Sequence, residues 1–281
     1  VLRATLRRAG TPGAKGSSEG PTRVEEMNMP QASLLVTIGI AALAVVVPAL
    51  VLAGVYAASP SASRATATRA LAAAMVLLLG GTFALARAGF YADVEARPPR
   101  MLFVLAPVLL LPLALGLSSI GARLAARLPL AALVGFHAFR LPLELVMHQA
   151  ALEGTMPVQM SYSGWNFDIV TGGLAAVVAV LAARGAAPRW LVVAFSTIGT
   201  ALLVTIVTIA VLSLPAVRAF GSEPERVNTW VAHAPFVWLP SSLVSCAILG
   251  HVVLWRRLVR GTVTLLETAA LPPHAASGAG G

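Results

Sequence analysis

From residue 33 to residue 256 the chain alternates long apolar runs with short breaks that are polar or contain proline and glycine. Runs long enough to span a bilayer, about 17 to 25 residues, fall at roughly 33–57, 70–90, 101–121, 129–152, 167–184, 190–214 and 234–256. The pattern predicts an all-α polytopic transmembrane bundle of seven helices. Six is the fallback, with the first run read as a signal peptide, and the fifth run, FDIVTGGLAAVVAVLAAR, is the shortest of the seven. The first run is read as a retained helix. The VYA before Ala58 could be a cleavage site, but this run is much longer than a signal-peptide core of about 7 to 15 residues.

The breaks carry charge unequally. Arg64 and Arg69, Arg123 and Arg127, Arg184 and Arg189, then Arg256, Arg257 and Arg260 fall at alternate ends of the runs. The other side holds Arg87, Arg97, Arg100, Arg218 and Arg226, mixed with Asp93, Glu95, Glu153, Glu223 and Glu225. Arginine-rich connections stay on the cytoplasmic side, which predicts the N-terminus outside and the C-terminus inside.

Composition agrees with the pattern. The 281 residues are 58% hydrophobic and 11% charged, with a mean hydropathy of +0.84, far from the roughly 25% charge of soluble domains. The formal charge of +9 is spread in small groups between apolar runs, so a nucleic-acid partner is not expected. The lipid bilayer is, and a membrane-protein partner or a second copy is left open. Arginine supplies 19 of the 20 basic residues, with Lys15 the exception, and alanine is abundant. Both suggest a GC-rich bacterial genome and hence a bacterial inner membrane. A single cysteine, Cys246, excludes an intrachain disulfide or a CxxC metal site.

Residues 1–28 are polar and rich in Gly and Ser, and are expected to be disordered or untranslated. Glu25 and Glu26 can be encoded by a ribosome-binding sequence, which favours a start at Met29, with Met27 the alternative. Residues 29–260 form the expected transmembrane domain, and 261–281 a disordered cytoplasmic tail.

The fourth run contains FHAFRLPLELVMHQA, with His137, Arg140, Glu144 and His148. At 100° per residue all four fall within a stripe of about 80°. A charge at membrane depth costs about 2.5 to 3.5 kcal/mol on insertion scales, so such groups face a protein interior and find partners. Arg140 and Glu144 stand four residues apart and are expected to neutralise one another. Pro142 between them leaves the carbonyl of Ala138 without its helical donor and predicts a kink.

The following loop lacks Lys and Arg and reads as a hairpin in the outer interface. Asn166 can cap the fifth helix, placing Asp168 in its first turn. Asp168 can instead join the stripe, giving an outward-opening polar pocket of Arg87, Arg140, Glu144, His148, Asn166 and Asp168, with His137 below. Arg87 can equally reach the headgroups. The segments HAFRLPLELVMHQAALEGTMPVQMSYSGWNFDIVTGG and NTWVAHAPFVWLPSSLV resemble a family of uncharacterised bacterial multi-pass membrane proteins. The resemblance covers about a quarter of the chain and implies no activity.

No cofactor is predicted. Matching depths do pair His137 with His251 toward the inside and His148 with His233 toward the outside, and either pair could hold haem b or a metal. Separations of about 16 Å on one helix and 27 Å on the other allow one such site at most. The last run has no lysine for a retinal Schiff base, and HExxH, GxSxG, P-loop and CxxC motifs are absent, so an enzyme is not the favoured class. Two readings lead: translocation of a proton or solute through Glu144, His148 and Arg140, and a non-catalytic membrane subunit or assembly factor in which the pair only fixes packing. A haem- or metal-dependent enzyme is the third.

Overall fold

A computed structural model describes residues 32–93 and 96–270, and among these there are helices and no strands. The N-terminal extension with its candidate starts, and residues 271–281 of the tail, lie outside the described residues. α1 (Leu34–Ala58) begins where the Ser33 hydroxyl accepts the Val36 N–H. α2 (Ser61–Arg87) follows Pro60, which cannot extend the preceding helix.

The third predicted run is bent. α3 (Leu102–Leu117) and α4 (Ser119–Arg127) meet at 63°. At the break Ser118 is extended. Its hydroxyl donates to the Leu115 carbonyl at 2.7 Å and accepts the Ile120 N–H at 3.1 Å, so one side chain ends one helix and starts the next.

The fourth run comprises α5 (Leu130–Gly135), a 3-10 turn over Phe136–Phe139 and α6 (Arg140–Leu152). The helix tightens just ahead of Pro142, where the donor for Ala138 is missing. α7 (Ile169–Ala183) has 15 residues, α8 (Arg189–Leu212) has 24, and α9 (Ser245–Ala270) follows a π-helical turn over Leu239–Val244. α9 therefore continues past the domain boundary expected at 260. α6 and α7 stop at Gly154 and Gly185, which take left-handed φ of 69° and 68°.

Among the described residues, five helical segments are long and apolar enough to cross a membrane, or six if the bent α3–α4 pair is one span. α7, with 15 residues, is apolar but shorter than each of these five segments. This makes the chain compatible with a multi-pass membrane protein, and the exposed Leu, Ile and Val side chains of α1, α2, α3 and α8 fit a lipid-facing exterior.

Small residues let the helices of the polar region approach closely. Gly172 on α7 lies against the backbone of Leu141 on α6, where a Cβ would collide, and Gly135 on α5 faces Ala179 on α7. At one end of the bundle, arginines bond helix carbonyls: Arg127 to Ala58, Arg256 to Gly116 and Ser118, Arg257 to Ala125 and Ala126, and Arg260 to Ala122. At the other end the long connections meet. Gln159 donates to the Arg226 carbonyl, the Asn228 N–H donates to the Ser213 carbonyl, and the Ser33 N–H donates to Glu153.

Candidate functional site

Four polar side chains on α6 and at the entry to α7 are buried together. Arg140, Glu144, Asn166 and Asp168 are each no more than 4% exposed. The expected pairing of Arg140 with Glu144 is not what forms. Arg140 Nη1 bonds Asp168 Oδ1 at 2.5 Å, while Glu144 accepts from Asn166 Nδ2 at 2.8 Å. Because Gly172 brings α7 onto α6, a partner across the helix interface replaces the one on the same helix, where the order of charges is unfavourable.

The loop fixes this arrangement. Asn166 Nδ2 also donates to the Met160 carbonyl at 3.0 Å, and its Oδ1 accepts the Asp168 N–H at 3.1 Å. The side chain thus spans Glu144, the loop backbone and the start of α7. Asp168 rather than Asn166 occupies the N-cap position of α7, and its carboxylate makes no capping bond. It turns to Arg140 instead.

Toward the other end of the same stripe, His137 stacks on His251 of α9, with ring centroids 4.2 Å apart and planes 34° apart. Both rings are buried. The ring nitrogens of both make no well-formed hydrogen bond, although His137 lies against the Gly250 backbone. Gly199 on α8 is the hub here: its carbonyl lies 3.5 Å from Arg140 Nη1, and a Cβ on it would come within 2.8 Å of His251 and 2.9 Å of Thr171. The hydroxyls of Thr171 and Ser196, with Nε and Nη2 of Arg140, are likewise buried without a hydrogen-bond partner.

The remaining candidates lie elsewhere. His148 is half-buried, bonds Ser163 Oγ through Nδ1 at 2.7 Å and stacks on Tyr162. Arg87 is exposed in the last turn of α2, which removes it from the buried pocket. His233 lines a separate cavity with Tyr91 and Arg100, where burial pulls its pKa below the usual imidazole range. No ring contact or hydrogen bond joins it to His148 among the described residues.

Of the two histidine pairings, the structure brings together His137 and His251. Their rings stack on each other, so a haem coordinated by both has no room between them in this arrangement. No group of three or more His, Cys, Asp or Glu that could hold a metal occurs among the described residues. Depth matching found the histidine pair, but Gly199, Gly250, Thr171 and Ser196 carry no signal of their own in a chain rich in such residues. Compared with protein-family models, curated proteins and solved structures, the chain matches none.

Proposed function

We propose that the protein is a seven-helix bacterial inner-membrane protein, N-terminus outside and C-terminus inside, that moves protons through the interior of the bundle. The observation that carries this reading is a charge imbalance. Two buried carboxyl groups, Glu144 and Asp168, share one buried cation, Arg140. Uncompensated charge in a low-dielectric interior costs several kcal/mol, and one added proton makes the trio neutral.

The stripe supplies a route. His148 is reached from the loop side, Glu144 lies one turn deeper, and the His137–His251 pair lies about 10 Å below Glu144 by helical rise. Polar atoms in excess of their partners surround that pair. In this route Glu144 takes a proton from His148 and passes it toward the imidazoles, while Arg140 stays committed to Asp168.

A second reading, a membrane subunit or assembly factor without transport, is favoured by one observation: Arg140–Asp168 and Glu144–Asn166 both tie α6 to the α7 entry, as buried packing links would. Purified protein in liposomes carrying an internal pH-sensitive dye, driven by a potassium diffusion potential, separates the two. Proton flux above that of protein-free liposomes, lost in Glu144→Gln while the variant elutes and unfolds like the parent, supports translocation. Flux equal to the empty vesicles supports the packing role, and flux that is unchanged in Glu144→Gln overturns the route through Glu144.

A further inference from the structure

A proton route along the buried stripe has a gap. Glu144 and His137 share a helical face but stand seven residues apart, about 10 Å of rise. A proton passes only between groups within about 2.6 to 3.2 Å of each other, or joined by a water. Arg140 lies between the two, but a guanidinium stays protonated in proteins. It can orient a proton carrier and cannot be one.

The side chains around this interval have spare hydrogen-bonding capacity. Arg140 spends only Nη1 on Asp168 and the Gly199 carbonyl, which leaves Nε and Nη2 buried with no partner. Thr171 and Ser196 are buried completely, and their hydroxyls are unpartnered too. Other helical hydroxyls bond their own backbone: Thr82, Thr200, Thr205 and Thr208 each donate to the carbonyl four residues back. Thr171 and Ser196 do not, so they are free to bind something else.

These groups converge on Gly199. Its carbonyl approaches Arg140, its α-carbon lies against Thr171 and His251, and Ser196 stands three residues earlier on the same side of α8. With the four ring nitrogens of the stacked His137 and His251, eight unpartnered polar atoms belong to five side chains that are each no more than 3% exposed.

The chemistry of these atoms selects the ligand. The free N–H edge of Arg140 repels a cation, and an anion would add to the two carboxyl groups that already share this arginine. A Cβ on Gly199 would collide with His251 and Thr171, so an organic solute does not fit. A water oxygen sits about 2.7 to 3.2 Å from nitrogen and oxygen, where a carbon would clash. A buried water makes about three hydrogen bonds, so eight atoms match about three waters. Three in file, at about 2.8 Å per step, span about 11 Å, the length of the gap.

We propose that Arg140, Thr171, Ser196 and the His137–His251 pair hold a file of about three water molecules that carries protons between Glu144 and the imidazoles. Arg140 positions the file, and the two hydroxyls bind it and relay. At each step one O–H bond breaks as its proton joins the next oxygen, so every water is neutral again once the proton has passed. The carrying role rests on the translocation reading, whereas the presence of the waters does not.

Water-edited solid-state NMR of the full chain in bilayers tests the waters without a variant. Magnetisation from water should reach Thr171, Ser196 and the rings of His137 and His251 much faster than it reaches Val47, which is equally buried in the apolar core. Transfer no faster than to Val47 overturns the proposal. Proton flux into liposomes tests the carrying role. Thr171→Val with Ser196→Ala keeps the shape and removes both hydroxyls, and should lower flux roughly tenfold or more in a protein that unfolds like the parent; Ser196→Ala alone is the milder variant. Undiminished flux in either overturns the carrying role. Parental flux equal to that of empty vesicles overturns the translocation reading and the carrying role together, and the NMR transfer then decides the waters by itself.

Discussion

Arg140 on α6 and Asp168 at the head of α7 form a buried ion pair across 28 residues of sequence. The pair closes the α6–α7 interface that Gly172 opens, and it leaves Glu144 to Asn166. Which carboxylate neutralises Arg140 is therefore decided by helix packing and not by spacing along one helix.

Removing one member of this pair strands the other. Arg140→Leu or Asp168→Leu should each destabilise the protein by about 3 to 5 kcal/mol, whereas the double replacement should cost much less, because neither member of the pair is left buried without the other. Detergent-solubilised variants compared by thermal unfolding give the answer. Additive losses would show that the two side chains do not act as a pair.

Gly199 leaves no space beside His251. A methyl group at this position would stand 2.8 Å from the imidazole, so Gly199→Ala should cost about 1 to 3 kcal/mol by overpacking. Combining it with His251→Ala should recover the part of that loss that the imidazole causes, leaving the part from the Thr171 methyl at 2.9 Å. A double-mutant cycle in unfolding free energy measures the coupling, and a value near zero would place the histidine elsewhere in the native state.

Glu153, in the loop after α6, titrates on the acid side. Burial by itself would raise its pKa, but hydrogen bonds from Ser33 outweigh burial, with Gln149 adding a further one, and hold the group below its ordinary value of 4.5. A depressed folded-state pKa contributes stability that is present above the unfolded value and lost as pH falls through the folded one. The melting-temperature difference between the parent and Glu153→Leu should thus be constant above about pH 5.5 and shrink on acidification below 4.5. A difference that does not change with pH would mean the carboxylate has no ordered partner.

Much of the architecture was legible in the apolar pattern. Each of the seven predicted runs contains a helix, because a run of about 20 apolar residues must satisfy its own backbone wherever water is excluded. Breaks inside the runs were less legible. Pro142 advertised the tightening over Phe136–Phe139 in the fourth run, whereas the third run is split at Ser118 and its prolines, Pro107 and Pro112, lie inside α3. Of the nine arginines expected on one side, Arg127, Arg256, Arg257 and Arg260 bond carbonyls at one end, and the targets of Arg256, Gly116 and Ser118, lie where α3 bends.

By itself the sequence determined that His137, Arg140, Glu144 and His148 share a helical face, since 3.6-residue periodicity is local geometry. It also identified Asp168, Asn166 and His251 as the groups within reach. Only the tertiary structure decided who meets whom: Asp168 with Arg140, Asn166 with Glu144, His251 with His137, and Arg87 with none of them. Those choices depend on a few tenths of an ångström to an ångström of helix approach at Gly172, Gly199 and Gly250. Periodicity fixes the direction of a side chain from its own helix axis, while the distance to the next axis is set by the small residues of both helices together.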